Sequence, residues 1–140
     1  MAEIISPTDI FALPGMSAGV VASGPLIFIS GQIALNSEGV IVGEDDFPAQ
    51  VNQVMKNFEA VLRDGGATFR DVVKVSVFLS DRQYLSIWRE LRGNYFSEPF
   101  PASTLVIAQL ISPSLLIEVE AVASVSGYSA NGRGPGCVQV

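Results

Sequence analysis

The residues best suited to chemistry are two acids in an apolar stretch, Ile117-Glu118-Val119-Glu120-Ala121. As a strand, this stretch places Ile117, Val119, Ala121 and Ala123 on one face and Leu116, Glu118, Glu120 and Val122 on the other. A carboxylate among apolar neighbours needs a hydrogen-bond partner or a raised pKa, and in either state it can hold a water molecule or accept a proton. Lys74, Ser76, Ser30 and backbone N–H groups are the candidate partners. The plainer alternative is a face open to solvent, as many antiparallel sheets have. Leu116 and Val122 on that face weigh against it. One glutamate is read as structural, the other as placed to hold a water or a ligand.

The remaining composition narrows the chemistry further. The chain has no histidine, which removes the usual general base at neutral pH and the commonest metal ligand. Its one cysteine, Cys137, allows neither an internal disulfide nor a cysteine-based zinc site. A reaction would rest on carboxylates, hydroxyls, backbone groups, arginine and bound water. The net charge of −6, with eight basic residues spread singly from Lys56 to Arg133, argues against nucleic acid.

The elements that must position these groups follow from periodicity. Residues 18–23 and 26–33 read as strands joined at Gly24-Pro25, and residues 40–42 as a short extended piece after the turn Asn36-Ser37-Glu38-Gly39. From Asp46 the period changes: Phe47, Val51, Val54, Met55, Phe58, Val61 and Leu62 form one helical stripe, with Gln50, Gln53, Lys56, Asn57 and Arg63 facing away. Asp46 can cap this helix, Pro48 suits its first turn, and Gly65-Gly66 ends it.

Residues 72–79 form a strand with Val73, Val75, Val77 and Leu79 on one face and Lys74, Ser76 and Phe78 on the other. A second helix over about 82–96 carries Leu85, Trp88, Leu91, Arg92, Tyr95 and Phe96 and is closed off by Pro99 and Pro101. Residues 103–110 and 115–124 are the last strands. The order β-β-α-β-α-β-β predicts an α+β domain over 1–125, with both helices on one face of a sheet. The Gly-, Ser- and Asn-rich segment 126–140 reads as an appended tail, or alternatively as a cover for a neighbour's pocket.

Charged residues make up 16% of the chain and hydrophobic ones 49%, leaving too little polar surface to cover a monomer. Burial against further copies of the chain is the common solution. No apolar run approaches the roughly 18 residues of a membrane span. Acids near the N-terminus, where a signal peptide needs positive charge, make the cytoplasm the expected compartment.

Four segments together resemble the Rid (YjgF) family: Ser30-Gly31-Gln32-Ile33, Val72 to Asp81, Phe100-Pro101-Ala102, and Ile117 to Ala123, in matching order and spacing over about residues 15–124. The resemblance implies a chorismate-mutase-like fold with a mixed sheet, and a homotrimer enclosing a central barrel with clefts between subunits. The similar RidA proteins hydrolyse enamines and imines such as 2-aminoacrylate to a keto acid and ammonia without a cofactor. By resemblance, Gly31 offers its backbone N–H to the ligand, Ser30 lines the cleft, and Glu118 positions the water.

The chain also departs from that pattern. Catalytic members follow Pro-Ala with an arginine that clamps a carboxylate through a bidentate fork; here Ser103 follows Pro101-Ala102. Losing such a clamp costs on the order of 1.5–3 kcal/mol of anion binding. A tyrosine of the family's site aligns with Ser17, and the position two beyond the lost arginine is Leu105. Arg89 aligns with a cleft-lining asparagine. It is either a surface arginine paired with Glu90 or Asp81, or the replacement guanidinium from another wall. In the second case the ligand sits beside Leu105 and Trp88, and a larger, more apolar acid is favoured. The functions in play are a Rid-type imine or enamine deaminase of altered substrate choice and a non-catalytic small-molecule-binding or regulatory trimer. A ribonuclease, an activity attached to some Rid proteins, is disfavoured by the charge and the missing histidine.

Overall fold

A computed structural model describes residues 2–125; the segment 126–140 and Cys137 lie outside the described residues. The element order is β1 (Ala2–Ile5), β2 (Gly19–Ala22), β3 (Leu26–Gln32), α1 (Phe47–Asp64), β4 (Val72–Leu79), α2 (Leu85–Leu91), β5 (Ala102–Ile107) and β6 (Ile117–Ser124). Strands β3-β6-β4-β5 form one mixed sheet, and β1 and β2 pair separately. Only β4 and β5 are parallel neighbours within the four-stranded sheet. A parallel pair needs a crossover, and α2 lies in that connection. The α+β class and the placing of the helices on one face agree with the sequence pattern.

The first helix forms for the expected local reasons. Asp46 accepts a hydrogen bond from the Ala49 amide at 3.1 Å, and Pro48 occupies the first turn. At the other end Gly66 takes a left-handed φ of 78°, and the Ala67 amide closes back on the Leu62 carbonyl at 2.8 Å. The buried side of α1 carries Phe47, Val51, Val54, Met55, Phe58 and Leu62. These meet Ile29, Val75, Val77, Leu79, Ile117, Val119, Ala121 and Ala123 from the sheet in one core. Each fully buried large side chain contributes roughly 1.5–3 kcal/mol through removal from water. The aromatic pair Phe47–Tyr84, stacked at 4.6 Å, extends this core to the start of α2.

Three expectations are corrected. Gln50 does not face outward but is 0% exposed. Its amide donates to the Gly43 carbonyl at 3.1 Å and the Ser114 carbonyl at 2.7 Å, and its oxygen accepts from the Leu116 amide at 2.8 Å. Fully partnered, a buried amide carries no desolvation deficit, and this one ties the β5–β6 connection to α1. In β4, Val72 rather than Val73 joins the buried face, because the ladder to β6 shifts register between Val72 and Lys74. The last two strands are shorter than expected: β5 ends at Ile107, and β6 starts at Ile117. Leu115 and Leu116 are buried just outside the strand.

Candidate functional site

The carboxylate half of the candidate site is built on a β-bulge. Ile29 pairs with Ala121 and Gln32 with Val119, so two residues of β3, Ser30 and Gly31, stand where β6 offers only Glu120. A bulge of this kind bends the strand and re-aims its groups, and its glycine lets another group approach the backbone closely. Glu118 makes that approach: a Cβ placed on Gly31 would collide with its Oε1. Ser30 and Gly31 are exposed, and Glu118 is half-buried. The face also presents Ser76 opposite Glu120 and Phe78 opposite Glu118.

Lys74 does not serve the carboxylates; its Nζ donates to Thr104 Oγ1 at 2.7 Å. Among the described residues neither the Glu118 nor the Glu120 carboxylate has a hydrogen bond or ion pair. A concavity of about 500 Å³ on the same face is lined by Phe28, Ser30, Lys74, Ser76 and Glu120. Phe28 stands 75% exposed there.

The second half lies across the sheet, under α2. Ser103 is in register with Val75 and Leu105 with Val77, so both point to the helix side. A cavity of about 480 Å³ opens there between α2, the segment that follows it and β5, and Trp88, Arg89 and Ser103 all line it. Trp88 is buried, and Leu105 packs against the core beside the cavity. Ser17 is 8% exposed, with its hydroxyl donating to the Phe100 carbonyl at 2.5 Å and its amide to the Pro101 carbonyl at 3.1 Å. It holds the N-terminal segment beside β5 as an isolated parallel bridge to Ala102.

Arg89 has no carboxylate partner among the described residues; neither Glu90 nor Asp81 engages it. The same cavity is lined by Arg92, which is absent from the sequence-derived site. The signal for it was on the helix: Arg92 falls four residues after Trp88 and four before Phe96, a charge on an otherwise apolar inner stripe. Burial, and then the charge of Arg89, hold its guanidinium below the usual arginine range.

The site residues thus fall into two groups on opposite faces: Ser30, Gly31 and Glu118 on the bare face, and Trp88, Arg89 and Ser103 on the helix face. A single chain does not bring them together. The first group can hold a water beside an exposed backbone; the second can bind an anion with an apolar body. No group of three or more acidic or cysteine side chains converges as metal ligands would among the described residues. No helix of the described residues is long and apolar enough to cross a membrane.

Known proteins share the sequence pattern and the fold. A family model described as Endoribonuclease L-PSP matches residues 9–125. A RutC family protein of Pyrococcus abyssi is 34% identical over 109 residues, 78% of this chain and 86% of its own. A Yersinia pestis structure of the Rid family member YyfB, a protein of unknown function, superposes with a TM-score of 0.79 at 32% identity, covering 89% of this chain and 98% of its own. RidA from an Antarctic Psychrobacter superposes with a TM-score of 0.67 at 28% identity, covering 87% and 98%. With the bulge, the paired acids and the crossover cavity in place, the chain belongs to the Rid (YjgF) family, the Endoribonuclease L-PSP group of that family model.

Proposed function

We propose that the protein is a cofactor-free imine or enamine deaminase whose site closes when copies of the chain associate as a homotrimer. The observation that carries this is the Ser30-Gly31 bulge, which sets an unpartnered Glu118 carboxylate against exposed backbone. An iminium carbon is already electrophilic, so the site need only orient the substrate, exclude bulk water and hold one water for attack. Glu118 accepts the proton of that water as its oxygen bonds to carbon. Glu118 passes that proton to the adduct nitrogen. The carbon–nitrogen bond breaks as the adduct's hydroxyl proton moves to Glu118 and the carbonyl forms, and nitrogen leaves as ammonia. Imine and water thereby give a keto acid and ammonia. The Gly31 N–H and Ser30 hydroxyl line one wall of the cleft. A second copy supplies Trp88, Arg89, Ser103 and Leu105 on the other, with Ser17 behind them.

Two facts support assembly: the shortage of charge, and Phe28 lying 75% exposed beside the carboxylates. The family description names an endoribonuclease, but a chain with a net charge of −6 and no histidine offers poor phosphate binding and no imidazole base.

The test is coupled release of keto acid and ammonia from small and large imines. Glu118→Ala should lower turnover by about 10²–10⁴-fold, the usual worth of a positioned acid–base group, while ligand still binds. Equal rates in the two proteins would refute the assignment. The second reading, a binding trimer without turnover, is favoured by Ser103 standing where a clamping arginine is expected by resemblance. Ligand binding without release of keto acid from any imine would establish it instead.

A further inference from the structure

The cavity under α2 holds a charge arrangement that hydrolysis alone does not require. Arg89 and Arg92 both line it, three residues apart and therefore neighbours at the end of the helix. Like charges at this spacing repel. Among the described residues neither has an ion pair. Glu98 also lines the cavity but is not bonded to either guanidinium.

Arg92 is held in place. Its Nη2 donates to the Pro14 carbonyl at 3.1 Å, using one of five N–H donors, and the guanidinium lies against Gly15, where φ is 77° and a Cβ would collide with it. The plainer reading is a tether for the N-terminal segment, aided by the favourable placing of a cation at a helix C-terminus. A tether accounts for one bond of Arg92. It accounts for neither the unpaired Arg89 nor the apolar walls of Val75, Trp88, Phe96 and Phe100 that the two arginines overlook.

We propose that Arg89 and Arg92 together clamp the carboxylate of a ligand whose large apolar or aromatic body fills the cavity between Trp88, Phe96 and Phe100. About 480 Å³ lies within the roughly 300–1,000 Å³ of sites that enclose whole small molecules, and is generous for a three-carbon acid. Glu98 on the lining disfavours a second carboxylate, so the class is a monoanion. The inference rests on the deaminase reading and gives its substrate class: imino acids with bulky apolar side chains. Ser103, small and uncharged, leaves room for that body where a clamping arginine would occupy it.

Calorimetric titration of the assembled protein with phenylpyruvate, a stable keto acid of the product class, and with pyruvate tests the clamp. The wild-type protein should bind phenylpyruvate more tightly than pyruvate. Arg92→Gln should weaken phenylpyruvate binding about tenfold to a hundredfold. Arg92→Lys, which keeps the charge but loses the planar fork, should weaken it by a smaller factor, as should Arg89→Gln on the exposed side of the pair. Should Arg92→Gln fail to fold for want of its Pro14 contact, the other two variants carry the test.

Wild-type affinity in both Arg92→Lys and Arg89→Gln overturns the clamp, as does a wild-type protein that binds no phenylpyruvate or prefers pyruvate. The deaminase reading fails separately. Loss of binding in the arginine variants, with no keto acid released by the wild-type protein from any imine, leaves the clamp standing and removes the reaction.

Discussion

On the helix side of the sheet, Val77, Leu79, Ile117 and Val119 are completely or almost completely buried beneath α1 and its neighbours. On the other side, of the residues that alternate with them, Ser76, Phe78 and Glu118 are only half-buried, Glu120 is exposed, and Phe28 beside them is largely bare. The same strands build both faces. The first is finished by one chain; the second carries two acids without partners and an exposed ring, which one chain has no means to satisfy. The difference separates what the fold needs for stability from the face proposed to meet a ligand and further copies.

That contrast can be broken in order of size. Phe58 is 0% exposed at the centre of the covered face, so Phe58→Ala should cost about 3–5 kcal/mol by lost burial and a residual cavity. Denaturant unfolding measures it, and a loss below 1 kcal/mol would mean that the covered face is not the stabilising one. Phe28→Ser should leave the unfolding of an isolated subunit nearly unchanged yet weaken assembly, since each such ring buried at an interface contributes roughly 1.5–3 kcal/mol. Sedimentation velocity would then show smaller species; an unaltered distribution would leave the bare face without a partner.

The smallest effect concerns Tyr95, whose hydroxyl is pushed above the ordinary tyrosine range by burial and then by Glu59. The folded state holds that proton more tightly than the unfolded one. Its contribution is whole below the unfolded value of about 10 and is lost as pH rises through the higher folded value. Tyr95→Phe should therefore flatten the decline of thermal stability above about pH 10, leaving neutral pH unaffected.

Much of this architecture is legible from local pattern. The α1 stripe, its Asp46 cap and its glycine stop are local rules, and they place the helix to within a residue. The alternation in β6 separates Glu118 from Val119 without any structure. What escaped is non-local. Strand β1 is four residues whose pairing with β2 spans the whole N-terminal segment. Gln50 looks like surface until three distant backbone groups are seen to need its amide. The register shift that exchanges Val73 for Val72 leaves no mark in composition. At the site, strand alternation singles out Glu118 and Glu120 and the resemblance assigns roles to Ser30, Gly31 and Glu118, whereas Arg92 reads in the sequence only as one of the helix's inner residues.

The crossover between β4 and β5 has a consequence for how such a protein can diverge. Most of the cavity wall, from Trp88 through Phe96 to Pro101, belongs to this one connection, which runs outside the sheet ladder. The Glu118 carboxylate belongs to β6, which is paired on both sides. Insertions or exchanges in residues 88–101 can therefore reshape the cavity while the position of Glu118 stays the same. In the proposed enzyme, selectivity and reactivity are written on separate stretches of chain, so one can be altered by loop exchange without rebuilding the other.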